Sequence, residues 1–325
     1  MSRIVCIVQD FLNEDHKEKI RRTAERDGFT PYFFTVAEAQ TDAAKEPLQN
    51  CEVLYTAIPA PLRRTSAALR WCASAAAGVD PYCADPSLFA NPDCVLTSSN
   101  VYGPTIAEHV IMVTLELLRR RLYFQEPLRR HEWLLSPPIR SIKDGDFTIL
   151  GTGNLGKTIA ARLKGMEARR VLGLSHSGRK VDLFDEVLPV SQLDAVLPKT
   201  NFLIMALPGT PETIGILNRA RIALLPKDAY VVNVGRGNAI EQDALRDALN
   251  NGDIAGAALD VTVPEPLPAD DPLWDAKNLI LTPHISGHMS LGYTGDENVR
   301  LFRRNLDRYS NGEEMIGVVD RSRGY

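Results

Sequence analysis

The chain has little net charge, no long apolar run and no paired-cysteine pattern, and each absence excludes something. Its 325 residues carry 37 Lys and Arg against 41 Asp and Glu, a formal net charge of −4. No basic footprint is left to track a phosphate backbone, so nucleic acid is not an expected partner. The apolar stretch VIMVTLELL at 110–118 is too short to cross a bilayer, and the start MSRIVCIVQD turns charged too soon for a secretory signal. No membrane association is expected. The five cysteines (Cys6, Cys51, Cys72, Cys83, Cys94) are odd in number and form no CxxC pair. That pattern fits reduced thiols in a cytoplasmic protein, with no disulfide framework and no metal site. Cys6 and Cys51 lie in apolar runs, where cysteine acts as a small hydrophobe. Repeats and low-complexity tracts are also lacking.

What is present is an ordinary globular composition, 44% apolar and 24% charged. A prior of about one domain per 150 residues suggests two domains. Apolar runs alternate with helix-period segments, the pattern of parallel sheets with crossover helices. RIVCIVQ (3–9), CEVLYTAI (51–58) and CVLTSS (94–99) read as strands, and HKEKIRRTAERDG (16–28) as a surface helix closed by glycine. From Pro104, TIAEHVIMVTLELLRRRLYF reads as one long helix leading to a second unit. Its strands are DFTIL (146–150), VLGL (171–174), NFLIMAL (201–207), DAYVVNV (228–234), IAGAALDV (254–261) and NLILT (278–282). EPLRRHEWLLSPPIRSIKDGD (126–146) reads as a long irregular stretch. The tail after 289 turns polar and helical and is expected to fold back onto the first unit. The expected fold is α/β with two doubly wound domains. The expected boundaries are 1–100 plus 290–325 for a substrate domain and 101–289 for a nucleotide-binding domain.

GTGNLG at 151–156 follows the strand DFTIL and opens the helix NLGKTIAARLKG. In that setting Gly151 allows a tight turn, Gly153 a close approach of a pyrophosphate, and Gly156 helix packing, which points to a dinucleotide. About 20 residues on, where a carboxylate would bind a ribose 2′-hydroxyl, the chain has GLSHSGRK with Ser175 in the acid's place. Ser175, Ser177, Arg179 and Lys180, with His176 among them, suit a 2′-phosphate, so NADP(H) is expected over NAD(H).

Three polar residues each sit just past an apolar run: Arg236 in VVNVGRG, Glu265 in ALDVTVPEPLP and His284 in LILTPHISG. Ligands of a doubly wound sheet bind beyond the carboxyl ends of its strands, so the three can converge on one crevice. Reducing a 2-oxo acid requires an anchor for the carboxylate and a proton donor to the ketone. Arg236 offers a planar, permanently charged fork. His284 offers an imidazole that titrates near neutral pH, and Glu265 on its other ring nitrogen would stabilise the imidazolium and fix the tautomer. His288 is a weaker rival base; His109 and His131 read as serving helix packing and a polar loop.

At these residues the chain resembles the D-isomer-specific 2-hydroxyacid dehydrogenases. The likeness runs through SAAAGVD (74–80), TIAEH (105–109), ILGTGNLGKTIA (149–160), ALPGTPET (206–213), VVNVGRG (231–237), ALDVTVPEPLP (258–268) and LTPHISG (281–287). The resemblance implies catalytic roles for Arg236, Glu265 and His284, and substrate carboxylate binding by the amides of Ala77 and Gly78. It also implies cofactor contacts from Asn154, Leu155, Leu207, Pro208, Thr213, Val234, Gly235, Arg236, Asp260 and His284. A Rossmann nucleotide-binding domain, a flavodoxin-like substrate domain split between the chain ends, and a homodimer built through the helix near residue 104 belong to the same expectation. Two departures stand out: Ser175 replaces the family's common aspartate, and His288 and Tyr293 follow HISG where the family varies. The first leans toward reductases of glyoxylate or hydroxypyruvate, and the second bears on substrate choice. The alternatives are a dinucleotide sensor without turnover and a formate- or phosphonate-type dehydrogenase; the intact trio opposes the former and Glu265 the latter.

Overall fold

The computed structural model describes residues 3–135 and 138–325. Ser136 and Pro137, within the stretch expected to be irregular, lie outside the described residues. The chain divides into two compact units, Met1–Tyr102 with His288–Tyr325, and Gly103–Gly287.

The first unit holds β1 (Arg3–Val8), β2 (Phe29–Phe34), β3 (Val53–Thr56), β4 (Trp71–Ser74) and β5 (Val95–Thr97), paired in parallel in the order β2-β1-β3-β4-β5. This is the flavodoxin-like order, with its switch point between β1 and β3. Alternate residues enter opposite cores. Val5, Ile7, Tyr55 and Trp71 pack with Ile20, Phe302 and Leu306 of helices Glu14–Arg26 and Gly292–Ser310. Cys6, Val8, Leu54, Cys72 and Leu96 pack on the other side. Apolar faces on both sides are what a buried parallel sheet requires. All five cysteines are free thiols. A hydrogen bond with Cys51, together with burial, pushes the Cys6 thiol far up, and burial pushes Cys72 far up and Cys94 to about 12, so these cysteines are inert core groups.

The second unit contains β6 (Asp146–Leu150), β7 (Arg170–Ser175), β8 (Glu186–Pro189), β9 (Phe202–Met205), β10 (Tyr230–Asn233), β11 (Gly256–Leu259) and β12 (Leu279–Leu281). All pairs are parallel, in the order β12-β11-β10-β9-β6-β7-β8. The chain crosses from the β8 edge back to β9 beside β6, so the switch point lies between β6 and β9, as in a Rossmann sheet. The expected fold class, two doubly wound α/β units, is borne out.

Three strands escape the sequence reading. β2 contains Pro31 and β8 ends in Pro189, and each strand has a neighbour on one side only. An edge strand tolerates a missing N–H, which is why proline survives in them and why they do not read as strands. β4 is four residues long and runs straight into small residues. The expected single helix past Pro104 is corrected. Helix Gly103–Leu118 ends where Arg120 turns left-handed (φ 53°) and donates its N–H to Leu117 O at 3.1 Å, and a second helix, Arg121–Arg129, follows. That second helix also takes the first residues of the stretch expected to be irregular. No helix among the described residues is long and apolar enough to cross a membrane.

Candidate active site

The glycine turn grows directly out of β6. Gly151 has φ +100°, donates its N–H to Leu174 O at 2.8 Å, and would set a Cβ 2.6 Å from Ala206 O. Gly153 caps helix Asn154–Gly165, and a Cβ there would meet nothing within 4 Å. Gly156, one turn in, would drive a Cβ into the Gly151 carbonyl. Two glycines are therefore required by packing, and the third leaves open space before a helix start. Unpaired helix-start N–H groups attract an anion, so this turn fits a dinucleotide pyrophosphate.

β7 ends at Ser175 with no carboxylate. Ser175 Oγ accepts the Gly178 N–H at 3.1 Å, and Ser177 Oγ accepts the N–H and the Nε–H of Arg179 at 3.4 and 3.3 Å. Each hydroxyl thereby keeps its own proton to donate. His176, Ser177, Arg179 and Lys180 are exposed. The nearby acid comes instead from the loop after β9. The Glu212 carboxyl is held below the usual carboxylate range by its own backbone N–H and by Thr210, with His176 adding a smaller pull.

The loops after β9 and β10 interlock. Thr213 Oγ1 lies 2.7 Å from Pro208 O and accepts the Thr210 N–H at 3.0 Å, which pins the 208–213 loop beside Leu207. Val234 donates its N–H to Met205 O at 3.1 Å, and a Cβ on Gly235 would sit 2.7 Å from Leu207 O. Asn233, buried at the end of β10, accepts the Gly235 N–H at 3.0 Å and donates to Arg236 O at 2.9 Å. Its amide shapes the turn that presents Arg236. The half-buried Arg236 donates Nη1 to Gly235 O at 2.9 Å.

Arg236, Glu265 and His284 follow β10, β11 and β12, three successive neighbours in the sheet, all past the carboxyl ends. His284 Nδ1 lies 2.8 Å from Glu265 Oε2, and Glu265 Oε1 accepts the Thr262 N–H at 3.0 Å. An ionised carboxylate only accepts, so Nδ1 carries a proton and Nε2 is the nitrogen able to exchange one with a substrate. The side chains of His284 and Glu265 are 54% and 38% exposed, and such a pair adds only about 0–1 kcal/mol to stability. Its value is chemical rather than structural.

A buried carboxylate shapes the His284 turn. His284 donates its N–H to Asp260 O at 2.9 Å. Asp260 Oδ1 accepts the Thr282 hydroxyl at 2.6 Å and the Ile285 N–H at 2.9 Å, and Oδ2 accepts the Ser286 N–H at 3.0 Å. His109, read from sequence as a packing residue, reaches the same cluster: its Nε2 is 3.3 Å from Thr282 Oγ1 and 3.9 Å from Asp260 Oδ1. The Thr282 hydrogen goes to Asp260, so His109 Nε2 is the protonated nitrogen. Burial holds the His109 imidazole below its ordinary range, against the opposing pull of Asp260 and Glu116.

Ala77, Gly78 and His288 belong to the first unit. Ala77 and Gly78 follow β4 in a turn where Ser74 Oγ accepts the Ala76 N–H at 3.1 Å and Ala76 O accepts the Ser99 N–H at 3.0 Å. His288 Nδ1 accepts the Ser290 N–H at 3.1 Å and pairs with its hydroxyl at 2.9 Å, and Tyr293 is 52% exposed. Sequence reading missed two buried polar side chains at this unit's carboxyl edge. Gln9 Nε2, after β1, and Ser99 Oγ, after β5, have no hydrogen-bond partner among the described residues. A lone glutamine ending an apolar strand was the available signal for the first.

Comparison with known proteins gives the family. Residues 111–286 match the family described as D-isomer specific 2-hydroxyacid dehydrogenase, NAD binding domain. Glyoxylate/hydroxypyruvate reductase A of Escherichia fergusonii is 34% identical over 258 residues, covering 77% of this chain and 80% of its own. Among solved structures, a D-isomer specific 2-hydroxyacid dehydrogenase family protein from Aeromonas salmonicida is 31% identical with a TM-score of 0.80, covering 99% of this chain and 100% of that one. An NADPH-dependent glyoxylate/hydroxypyruvate reductase from Sinorhizobium meliloti, solved with NADP and sulfate, is 26% identical with a TM-score of 0.82 and the same coverage. The chain belongs to the D-isomer specific 2-hydroxyacid dehydrogenases, a family of NAD(P)-dependent oxidoreductases.

Proposed function

We propose that the protein reduces a small 2-oxo acid of the glyoxylate or hydroxypyruvate kind, with NADPH favoured and NADH possible, and that His284 is the proton donor. The observation that carries this reading is the 2.8 Å contact between His284 Nδ1 and Glu265, which leaves Nε2 available past the end of β12. A dinucleotide held by its pyrophosphate at the glycine turn would supply the hydride from its nicotinamide. Arg236 anchors the substrate carboxylate with a bidentate fork and draws electron density from the ketone. His284 Nε2 passes its proton to the carbonyl oxygen, and the resulting neutral imidazole recovers a proton from water. Glu265 stabilises the imidazolium before transfer and keeps the ring oriented throughout. The second unit acts as the nucleotide-binding domain. The first acts as the substrate domain, with the amides of Ala77 and Gly78 on the substrate carboxylate and His288 near its variable end.

The preference for NADPH rests on β7 ending in Ser175 and on the exposed Ser177, Arg179 and Lys180, and it is supported by the relative solved with NADP. The protein is proposed to be a homodimer, as the family resemblance implies, and cytoplasmic, as its scattered, odd-numbered cysteines suggest. Purified protein is assayed at 340 nm with NADPH and NADH against glyoxylate, hydroxypyruvate and pyruvate, and with NADP+ and NAD+ against formate and phosphite. Turnover of the 2-oxo acids with the lower KM for NADPH is expected. Binding of NADPH without turnover of any acid overturns the enzymatic reading in favour of a sensor, and turnover confined to formate or phosphite overturns the substrate class.

A further inference from the structure

The carboxylate beside His284 stands on a segment that burial does little to hold, although Glu265 Oε1 accepts the Thr262 N–H at 3.0 Å and the Thr262 hydroxyl donates to Pro264 O at 3.0 Å. Residues 263–266 are exposed, and Val263 keeps 50% of its surface in water. Burial therefore does not fix this loop, yet the function proposed above needs the Glu265 carboxylate held within hydrogen-bond reach of one ring nitrogen. The loop is instead gripped from outside. Gln242 donates Nε2–H to Val263 O at 2.7 Å and accepts the Val263 N–H on Oε1 at 2.7 Å. One side-chain amide thus satisfies both backbone groups of a single residue, as a neighbouring strand would. Its orientation is forced, because the Val263 N–H must meet an oxygen.

Gln242 stands on firm ground. It is the first residue of helix Gln242–Asn251, whose Ala244, Leu245, Ala248 and Leu249 are buried. The preceding Glu241 donates its N–H to Leu217 O at 3.1 Å and accepts the Arg219 N–H at 2.8 Å. The same short segment begins with Arg236. Between them lies Gly237, where a Cβ would run into the Thr262 backbone. The piece of chain that presents Arg236 therefore presses on the Glu265 loop at one point and clasps it at another.

We propose that Gln242 is a positioning residue for the Glu265–His284 pair: by clasping Val263 it holds the Glu265 carboxylate against Nδ1 of His284. This inference rests on His284 being the proton donor. Without the clasp, Val263 bonds to water and the loop carries Glu265 away from the ring for part of the time, so the imidazolium loses its counter-charge intermittently.

The test uses Gln242→Met, which keeps the side chain's length and helix propensity but removes both bonds, with Glu265→Gln, the double variant and His284→Ala alongside. For Gln242→Met, kcat for 2-oxo acid reduction is expected to fall on the order of tenfold, equivalent to about 1.4 kcal/mol and so to one or two net hydrogen bonds. The alkaline limb of its pH–rate profile should move to lower pH, while the Kd for NADPH and the Tm stay near those of the parent. A glutamine that served only the fold would lower Tm and leave the pH profile in place. In the Glu265→Gln background the Gln242→Met effect should nearly vanish, because both act through one carboxylate. An unchanged pH profile and kcat in Gln242→Met, or full additivity in the double variant, overturns this inference alone. Parent-like rates in His284→Ala overturn the proton-donor assignment and this inference with it.

Discussion

His284 Nδ1 and Glu265 Oε2 lie 2.8 Å apart, and the other oxygen of that carboxylate is tied to the Thr262 backbone. The pair is thus anchored at the carboxylate end, and the ring is the part proposed to meet the substrate.

Glu265→Gln keeps the shape of this contact and removes its charge. Hydrogen bonds to charged groups are worth about 1.5–3 kcal/mol, so a drop of roughly 10- to 100-fold in the rate of reduction is expected. Reduction consumes the protonated ring, and the variant favours that form less. The alkaline limb of kcat/KM should therefore shift to lower pH. A limb that stays in place in a pH–rate series removes Glu265 from its assigned role.

The glycine turn yields a contrast between two small substitutions. Gly156→Ala puts a methyl group into the Gly151 carbonyl, and overpacking of this kind costs about 1–3 kcal/mol. A lowered Tm is expected. Gly153→Ala adds the same methyl group to open space, so its Tm should stay close to the parent's while NADPH, whose pyrophosphate is proposed to approach there, should bind more weakly. Thermal melts and fluorescence titrations read the two effects, and equal loss of Tm in both variants contradicts the assignment.

Acid should loosen the second unit through His109. Its folded-state pKa is depressed, chiefly by burial, so the stability it contributes is fully present above the unfolded value of about 6.5 and is lost as pH falls through the lower folded value. Between those values, Tm should rise with pH. His109→Gln, which cannot take up a proton, should flatten that rise. An identical slope in the variant shows that another group is responsible.

The residues proposed to carry the chemistry were legible because each stands just past an apolar run, where a parallel sheet delivers its loops to one edge. Arg236, Glu265, His284 and the glycines at 151, 153 and 156 all announce themselves in this way. The supporting residues do not. Asn233 looks like the last residue of a strand, and nothing local shows that its amide spans the turn to Arg236. Gln242 and Val263 are 21 residues apart, and His109 and Thr282 are 173 apart, so their contacts exist only once the chain has folded. β2 and β8 were hidden for a different reason: proline speaks against a strand locally, and only the topology shows that these strands lie at sheet edges. The break at Arg120 carries neither glycine nor proline to mark it.

The left-handed backbone of His284, φ 53°, decides which losses of the proposed proton donor leave its turn intact. Asparagine and aspartate tolerate that conformation better than most side chains, and each lies one nucleotide away from a histidine codon. On the proposed role of His284, these two replacements would remove the proton donor while preserving the turn. A silenced descendant would begin its history as an intact dinucleotide receptor rather than as a misfolded chain.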